Sequence, residues 1–277
     1  METKYNGKTL GLEIVAILAG LVFLVPFYFL LANSVKKFSE ILLDSAALPK
    51  AFTWSNYTRA WKIMDFPQAF TNSLLITVFS IIGLVIISSM AAHRMIRRPT
   101  KFNTLLFTSF VAAMVIPFQS IMIPLVQVAK NFGLISSIWG LVICYLGFGV
   151  SLTVFLYHGF IKSIPLEIEE AAVVDGCTPY GVFWKIVFPL LKPMTVTIMV
   201  LNALWIWNDF LLPSLILGQD PDLRTIPLST YSFFGQYTKQ WDLALAALCM
   251  GILPIVIFFL AMQKHIIEGI TAGSVKG

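Results

Sequence analysis

The sequence predicts an all-α polytopic membrane protein with six transmembrane helices, and three observations support that fold class. Of its 277 residues, 58% are hydrophobic and only 12% are charged, whereas about 25% are charged in a typical globular domain. The mean hydropathy is +0.84. Six separate apolar segments reach the roughly 20 helical residues that cross a bilayer core. This composition excludes a disordered chain, a collagen-like repeat, a nucleic-acid-binding module and an ordinary cytosolic enzyme.

The six predicted spans form one transmembrane domain, residues 1–277. They cover residues 10–32, 70–92, 104–129, 134–157, 193–218 and 243–262. These runs are too long for barrel strands, and helices satisfy their own backbone hydrogen bonds in lipid. The first span resembles a signal peptide, but its apolar core is too long, and Asn-Ser-Val-Lys-Lys at 33–37 replaces a small-residue cleavage site. We therefore expect a retained helix.

Basic residues predict the orientation of the spans. The short loop after the second span contains Arg94, Arg97, Arg98 and Lys101, and basic short loops favour the cytoplasmic side. Six spans then place both termini in the cytoplasm as well. The other predicted cytoplasmic parts are loop 158–192 and the tail 263–277, and the predicted outer loops are 33–69, 130–133 and 219–242.

The sequence lacks the common motifs of catalytic and metal sites. Cys144, Cys177 and Cys249 form no CxxC pair, so neither a disulfide framework nor a zinc site is indicated. There is no Walker A loop, no HExxH and no GxSxG. We expect a non-enzymatic subunit that binds no cofactor itself.

Loop 158–192 begins with the signals of a short helix. Pro165 suits the first helical turn. Glu167 and Glu169 follow where the helix dipole favours acidic groups. Gly176 is placed to end this helix in the left-handed conformation.

A second helix is predicted to follow the first. Thr178 and Pro179 have the pattern of an N-cap with proline at the first helical position, for a helix that runs toward Pro189. On periodicity alone, a connector that keeps its charges in water is the simpler interpretation of the loop. Four residues of the first helix are spaced three or four positions apart and therefore share one face. They are Glu167, Glu170, Ala171 and Val174.

A motif within this loop resembles the EAA motif of ABC-importer permease subunits, EAA-x3-G-x9-I-x-L-P. The matching residues are Glu170-Ala171-Ala172, three residues, Gly176, nine residues, Ile186, one residue and Phe188-Pro189. Only Phe188 departs from the pattern, which usually has leucine there. In that family the segment is a coupling helix that docks in a cleft of the ATP-hydrolysing subunit. The resemblance implies the docking residues Glu167, Glu170, Ala171, Ala172, Asp175, Gly176, Ile186 and Pro189.

Further segments resemble the carbohydrate (MalG-type) branch of the family. Residues 207–210, Trp-Asn-Asp-Phe, are similar to its Trp-Asn-x-Phe signature. Residues 268–277 are similar to its Gly-Leu-Thr-Ala-Gly-x-Val-Lys-Gly ending, with Ile270 in place of leucine. In that branch the ending threads into the interface of the ATPase dimer. The resemblance therefore implies a tail that contacts the ATPases through Thr271, Ala272, Gly273 and Lys276.

The outer loop and the intramembrane polar residues supply the remaining candidates. By resemblance, loop 219–242 contacts a sugar-binding protein through Arg224, Tyr231, Phe234 and Tyr237, although an interfacial aromatic belt also explains such residues. Candidates for the pathway or its gate are Asn72, Gln119, Asn208 and Asp209, together with Asn202. These polar groups alternatively join helices through hydrogen bonds. Kinks are expected at Pro117, Pro124 and Pro213.

The resemblance implies half of the translocation pathway of an ATP-driven ABC importer for a carbohydrate, such as a raffinose-type or malto-oligosaccharide. The implied partners are a homologous permease subunit in a heterodimer, two ATP-binding subunits that hold ATP and Mg, an extracytoplasmic sugar-binding protein and the lipid bilayer, with no nucleic acid. The implied location is the bacterial cell membrane. A secondary transporter or an intramembrane hydrolase would require an acid–base, Ser–His or two-Asp pair within the spans, and none is visible. Amino-acid or metal cargo is a further alternative.

Overall fold

The computed structural model describes residues 7–218, 220–235 and 239–274, without the side chains of Lys8 and of 264–274. In this part of the chain the regular structure is helical, apart from one isolated bridge between Phe234 and Lys239. The α-helices are α1 Gly7–Ser34, α2 Phe38–Leu43, α3 Ser55–Ile63, α4 Phe66–Arg97, α5 Lys101–Ala113, α6 Phe118–Asn131, α7 Ile138–Ile161, α8 Leu166–Val174, α9 Pro179–Gly181, α10 Phe188–Leu190, α11 Lys192–Asn208, α12 Leu211–Ile216, α13 Ile226–Tyr231 and α14 Trp241–Ser274.

The predicted membrane fold class is confirmed, and its spans are of two kinds. Within the described residues, four straight helices are long and apolar enough to cross a bilayer, namely Thr9–Ser34, Phe66–Arg97, Ile138–Ile161 and Trp241–Gln263. Two bent helix pairs bring the number to the predicted six if each pair is one span.

The chain divides into two compact units. One contains Met1–Phe66 and Ser229–Ile252, and the other contains Pro67–Leu228 and Leu253–Gly277. In the first unit, α1 exposes its apolar side chains along nearly its whole length. In the second unit, α7 lies at the centre and packs against α5, α11 and α12.

The segment that follows α1 is folded around buried polar side chains. The amine of Lys36 is fully buried and donates to the carbonyl oxygens of Asp44 at 3.2 Å and Ser45 at 3.3 Å. The Asn56 amide donates to the carbonyl oxygens of Ser34 at 3.0 Å and Lys36 at 2.7 Å. Because a buried polar group is costly without partners, these bonds fix the predicted outer loop 33–69 at its start.

The predicted span 104–129 is not one straight helix, because the structure has two helices there. Lys101–Ala113 and Phe118–Asn131 meet at 111°. Pro117 lies directly before the second helix in an extended conformation, with φ −62° and ψ 136°. Proline has no amide hydrogen to continue a helix and disfavours a helical residue before it. The expected kink at Pro117 is therefore a complete break.

The predicted span 193–218 is also interrupted. Helix α11 ends at Asn208, and Asp209 is extended, with φ −74° and ψ 130°. One Asp209 carboxylate oxygen accepts the Leu211 amide at 2.9 Å, and the other accepts the Tyr145 hydroxyl at 2.9 Å. Asp209 thus opens the separate short helix α12, and Pro213 lies inside that helix rather than at the break. At its other end α11 forms the second bent pair, at 72° to residues 179–190.

Two helices are much longer than predicted. Helix α4 has 32 residues and continues to Arg97, and α14 has 34 residues and continues to Ser274. At 1.5 Å per residue, α4 is about 48 Å long, whereas the hydrocarbon core is about 30 Å thick. The charged last turns of α4 therefore extend beyond the apolar layer.

Candidate functional site

The first helix of loop 158–192 ends as predicted. Helix α8 spans Leu166–Val174, and Gly176 follows it with φ +82°. The Gly176 amide donates to the carbonyl of Val173 at 3.0 Å, and the Cys177 amide donates to that of Ala172 at 3.0 Å. These two bonds form a Schellman motif, which places the left-handed residue directly after the cap. The expected turn at Gly176 is confirmed.

The second helix also begins as predicted. The Thr178 hydroxyl accepts the Gly181 amide at 3.2 Å, and Pro179 occupies the first helical position. The helix continues through Val182–Val187 in π-helical conformation, which the sequence did not predict, and ends with Phe188–Leu190. Loop 158–192 is therefore two short helices joined by a tight turn.

The face of α8 that residue spacing predicted is exposed, on a helix whose buried residues are Glu169 and Ala172. Glu167, Glu170, Ala171 and Val174 are all exposed, and so are Asp175 and Gly176 beyond the helix. Such a face is free to contact another protein. Ala172, in contrast, is only 7% exposed and packs within this chain. Of the remaining candidates, Ile186 is half-buried and Pro189 is exposed.

The opposite face of α8 carries an ion-pair cluster that the sequence analysis missed. One carboxylate oxygen of Glu169 lies 2.8 Å from Nε2 of His93, and the other accepts Nε–H of Arg97 at 2.7 Å. Arg97 also donates from its guanidinium to the carbonyl of Ile164 at 2.9 Å. The Glu169 side chain is 9% exposed, so α8 is tied to the end of α4 by largely buried charges.

The second helix rests on the same end of α4. The ring centroids of Phe183 and His93 are 5.3 Å apart, and Phe183 is 5% exposed. Both helices of loop 158–192 are thus fixed to one helix terminus, while the outer face of α8 is left open. A displacement of that outer face would be passed directly to α4.

The candidate pathway residues have different surroundings, and Asn72 anchors a loop. Its buried amide donates to the carbonyl oxygens of Asp222 at 2.8 Å and Arg224 at 3.0 Å. The neighbouring Ser73 hydroxyl accepts the Ile226 amide at 2.9 Å. Asn72 therefore joins parts of the protein through hydrogen bonds, which was the alternative to lining the pathway, because its amide donors are used by backbone carbonyl groups.

The other three candidates lie near helix breaks. Gln119 is exposed in the first turn of α6, directly after the 111° bend. Asn208 is exposed in the last turn of α11, and its amide donates to the carbonyl of Leu204 at 2.8 Å. Asp209 forms the break itself.

Asn202 lines a cavity beside the broken third span. The cavity is about 440 Å³ in volume, and its lining includes Met114 from the break, Ser151 and Trp205. The Asn202 amide donates to the carbonyl of Ile198 at 2.9 Å. This cavity combines an aromatic wall with a few hydrogen-bonding groups, as ligand sites usually do.

The outer-loop candidates are divided between the two units. Arg224 is half-buried in the second unit, and its carbonyl accepts from Asn72. Tyr231 and Phe234 belong to the first unit, where the ring of Phe234 lies 5.2 Å from that of Trp241 in edge-to-face contact. Tyr237 lies outside the described residues. The binding-protein contact of these residues stays a prediction.

The tail candidates lie on a helix. The backbone of α14 is helical through Ser274, so Thr271, Ala272 and Gly273 continue that helix. Their contact with the ATPases stays a prediction. Lys276 lies outside the described residues.

Comparison with known proteins gives one family. The sequence model described as "Binding-protein-dependent transport system inner membrane component" matches residues 84–271. The chain is 45% identical, over 96% of both chains, to a probable starch degradation products transport system permease protein of Thermoanaerobacterium thermosulfurigenes. It is 36% identical, over 98% of this chain and 99% of the relative, to the melibiose/raffinose/stachyose import permease protein of Bacillus subtilis.

A solved structure supports the same fold. It is the crystal structure of a bacterial ABC transporter involved in the import of the acidic polysaccharide alginate. One of its chains matches with a TM-score of 0.74 at 22% identity, and the match covers 95% of this chain and 99% of that chain.

Proposed function

This chain belongs to the family of binding-protein-dependent transport system inner membrane components, and we propose that it couples uptake of an oligosaccharide to ATP hydrolysis by partner subunits. The EAA resemblance at residues 170–189 anticipated this family. The names of two relatives, which refer to starch degradation products and to melibiose, raffinose and stachyose, support an oligosaccharide as cargo. The family leaves the ion-coupled alternative without support.

One observation carries the proposed coupling role. Helix α8 exposes Glu167, Glu170 and Ala171 on one face, while Glu169 on the other face is held by His93 and Arg97 of α4. Helix α8 can therefore dock outward and transmit movement inward. A long solvated connector would provide no such rigid attachment.

The proposed assembly follows from the family. This permease subunit pairs with a homologous permease subunit, and a sugar-binding protein delivers cargo from outside. Two ATP-binding subunits hold ATP and Mg on the cytoplasmic side, where both termini also lie, and one of them docks on loop 158–192. Their closure on ATP moves α8 and opens the pathway outward, and hydrolysis resets it.

The docking role is tested with a bulky substitution on the exposed face of α8. In a complete importer reconstituted in liposomes, we expect Ala171→Trp to abolish the ATP hydrolysis that the sugar-loaded binding protein stimulates. The larger ring would occupy the space where the ATPase subunit approaches. The matched control is Val173→Trp, which lies two residues further along the same helix, about 160° around its axis from Ala171, and is also exposed. It should retain most of the stimulation.

Two results would contradict the proposal. The docking role fails if Ala171→Trp supports wild-type uptake, or if both variants lose ATPase subunits equally during purification. The cargo proposal is tested separately, by uptake of raffinose and maltotriose against a free amino acid. Accumulation of the amino acid alone would refute the carbohydrate assignment.

A further inference from the structure

A basic cavity lies between the end of α4 and the second helix of loop 158–192. Its volume is about 450 Å³. One wall consists of four basic side chains from the last turns of α4 and the residue directly after it, and the other includes two aromatic side chains. These residues are His93, Arg94, Arg97, Arg98, Tyr180 and Phe183.

The cavity has an excess of positive charge. The carboxylate that faces these basic side chains is Glu169, and its two oxygens already contact His93 and Arg97. Arg94 and Arg98 are exposed, and within the part of the chain that the structure describes their guanidinium groups have no carboxylate partner. Two permanent cations, one in the last turns of α4 and one directly after its end, thus remain available to an anion.

The position of the cavity indicates which anion it binds. Arg94 is the first permanent charge after the apolar part of α4, and Arg98 follows four residues later, so both lie at the level of the lipid headgroups. Tyr180 of the cavity wall and Trp184, four residues further along the chain, are 72% and 40% exposed, as is typical of aromatic residues at a membrane interface. Arginine binds phosphate oxygens in bidentate geometry, and basic pockets at this level bind acidic lipid headgroups.

We propose that this cavity binds the phosphodiester headgroup of an anionic phospholipid, with Arg94 and Arg98 as its main ligands. The bound phosphate lies beside the ion pairs that hold α8, so the lipid reaches the joint between loop 158–192 and α4. Assignment to the cytoplasmic leaflet rests on the proposed function, whereas the binding itself does not depend on transport.

The test compares lipid retention by two charge-matched double variants. The complete complex is purified in detergent with phosphatidylglycerol or phosphatidylcholine, and native mass spectrometry measures the bound lipid. We expect wild-type protein to prefer phosphatidylglycerol, and Arg94→Gln/Arg98→Gln to bind it roughly tenfold or more weakly. The control, Lys101→Gln/Lys192→Gln, removes two exposed charges that do not line the cavity and should retain the preference.

Three outcomes would overturn the proposal. The first is equal retention of phosphatidylglycerol and phosphatidylcholine by wild-type protein. The second is an equal loss in both double variants, which would mean that general positive charge attracts the lipid. The third is full displacement of phosphatidylglycerol by millimolar inorganic phosphate, which would identify free phosphate as the ligand. ATP-driven uptake, measured on the same preparations, reports separately on the proposed function.

Discussion

At the scale of single residues, Glu169 and Glu170 are adjacent in the sequence and have different surroundings. A helix turns 100° per residue, so Glu170 is exposed while Glu169 is buried against α4. Spacing alone predicted that Glu167 and Glu170 share a face. It could not reveal the partners of Glu169, because Arg97 and His93 are 72 and 76 residues away in the sequence.

Loss of the Glu169 charge should weaken the joint. We expect Glu169→Gln to lower the free energy of unfolding by about 2 to 3 kcal/mol, since a partly buried guanidinium loses its charged acceptor. ATP hydrolysis should also respond less to the sugar-loaded binding protein. Thermal unfolding in detergent and the ATPase assay measure the two effects.

Glu167→Gln is the control for this substitution. It removes the same charge from the exposed face of α8, and its effect on stability should stay within about 0.5 kcal/mol. If Glu169→Gln were as stable as Glu167→Gln and kept the wild-type stimulation of ATP hydrolysis, the ion-pair cluster would have no mechanical role.

At the scale of secondary structure, the sequence predicted positions better than angles. Pro117 indicated a kink in the third span, and the structure has a break at that residue. The 111° angle depends on how the two half-helices pack against other parts of the protein, which no local pattern specifies. Similarly, the apolar segment continues past Asp209 in the sequence, so hydropathy predicted no helix end there. The contact with Tyr145, which only the structure shows, explains why the helix ends at that position.

The turn after α8 gives a prediction at this scale. A Cβ added at Gly176 would meet no atom within 4 Å, but φ is +82°. We therefore expect Gly176→Ala to destabilise the loop by about 1 to 2 kcal/mol through backbone strain alone. Gly176→Asn should cost less, because asparagine tolerates the left-handed conformation better. Stimulated ATP hydrolysis and thermal unfolding measure the effect.

Gly159→Ala is the matched control, because Gly159 is also surrounded by open space but lies in the regular helix α7. Alanine there should be neutral or slightly stabilising. A Gly176→Ala protein that matched Gly159→Ala in both assays would show that the turn tolerates ordinary residues.

At the scale of the whole molecule, the sequence identified the fold class and the family, because composition reflects the entire chain and the motif at residues 170–189 has many fixed positions. The arrangement of the polar residues was less predictable. Asn72 was a pathway candidate from its position in a span, yet it holds the carbonyl groups of a loop 150 residues away. Long-range contacts of this kind leave no periodic signal in the sequence.

The predicted orientation can be checked with a native thiol. Cys177 is half-buried in loop 158–192. The sequence has three cysteines, so Cys177 is the remaining one in a variant with Cys144→Ala and Cys249→Ala. A membrane-impermeant maleimide should label it in inside-out vesicles and leave it unlabelled in spheroplasts. Asp220→Cys in a cysteine-free chain should give the opposite pattern. Labelling of Cys177 in intact spheroplasts would place loop 158–192 outside and refute the coupling role.

Helix α4 has one mechanical property that follows from its two ends. It is uninterrupted from Phe66 to Arg97. Near its N-terminus, Asn72 donates hydrogen bonds to the carbonyl groups of Asp222 and Arg224. At its C-terminus, Arg97 donates a hydrogen bond to Glu169. A stiff rod about 48 Å long acts as a lever across the bilayer. A tilt of a few degrees about its middle would shift its two ends by roughly 2 Å in opposite directions. A displacement of one end at one membrane surface would therefore displace the other end at the opposite surface, and no part of the helix would have to unwind.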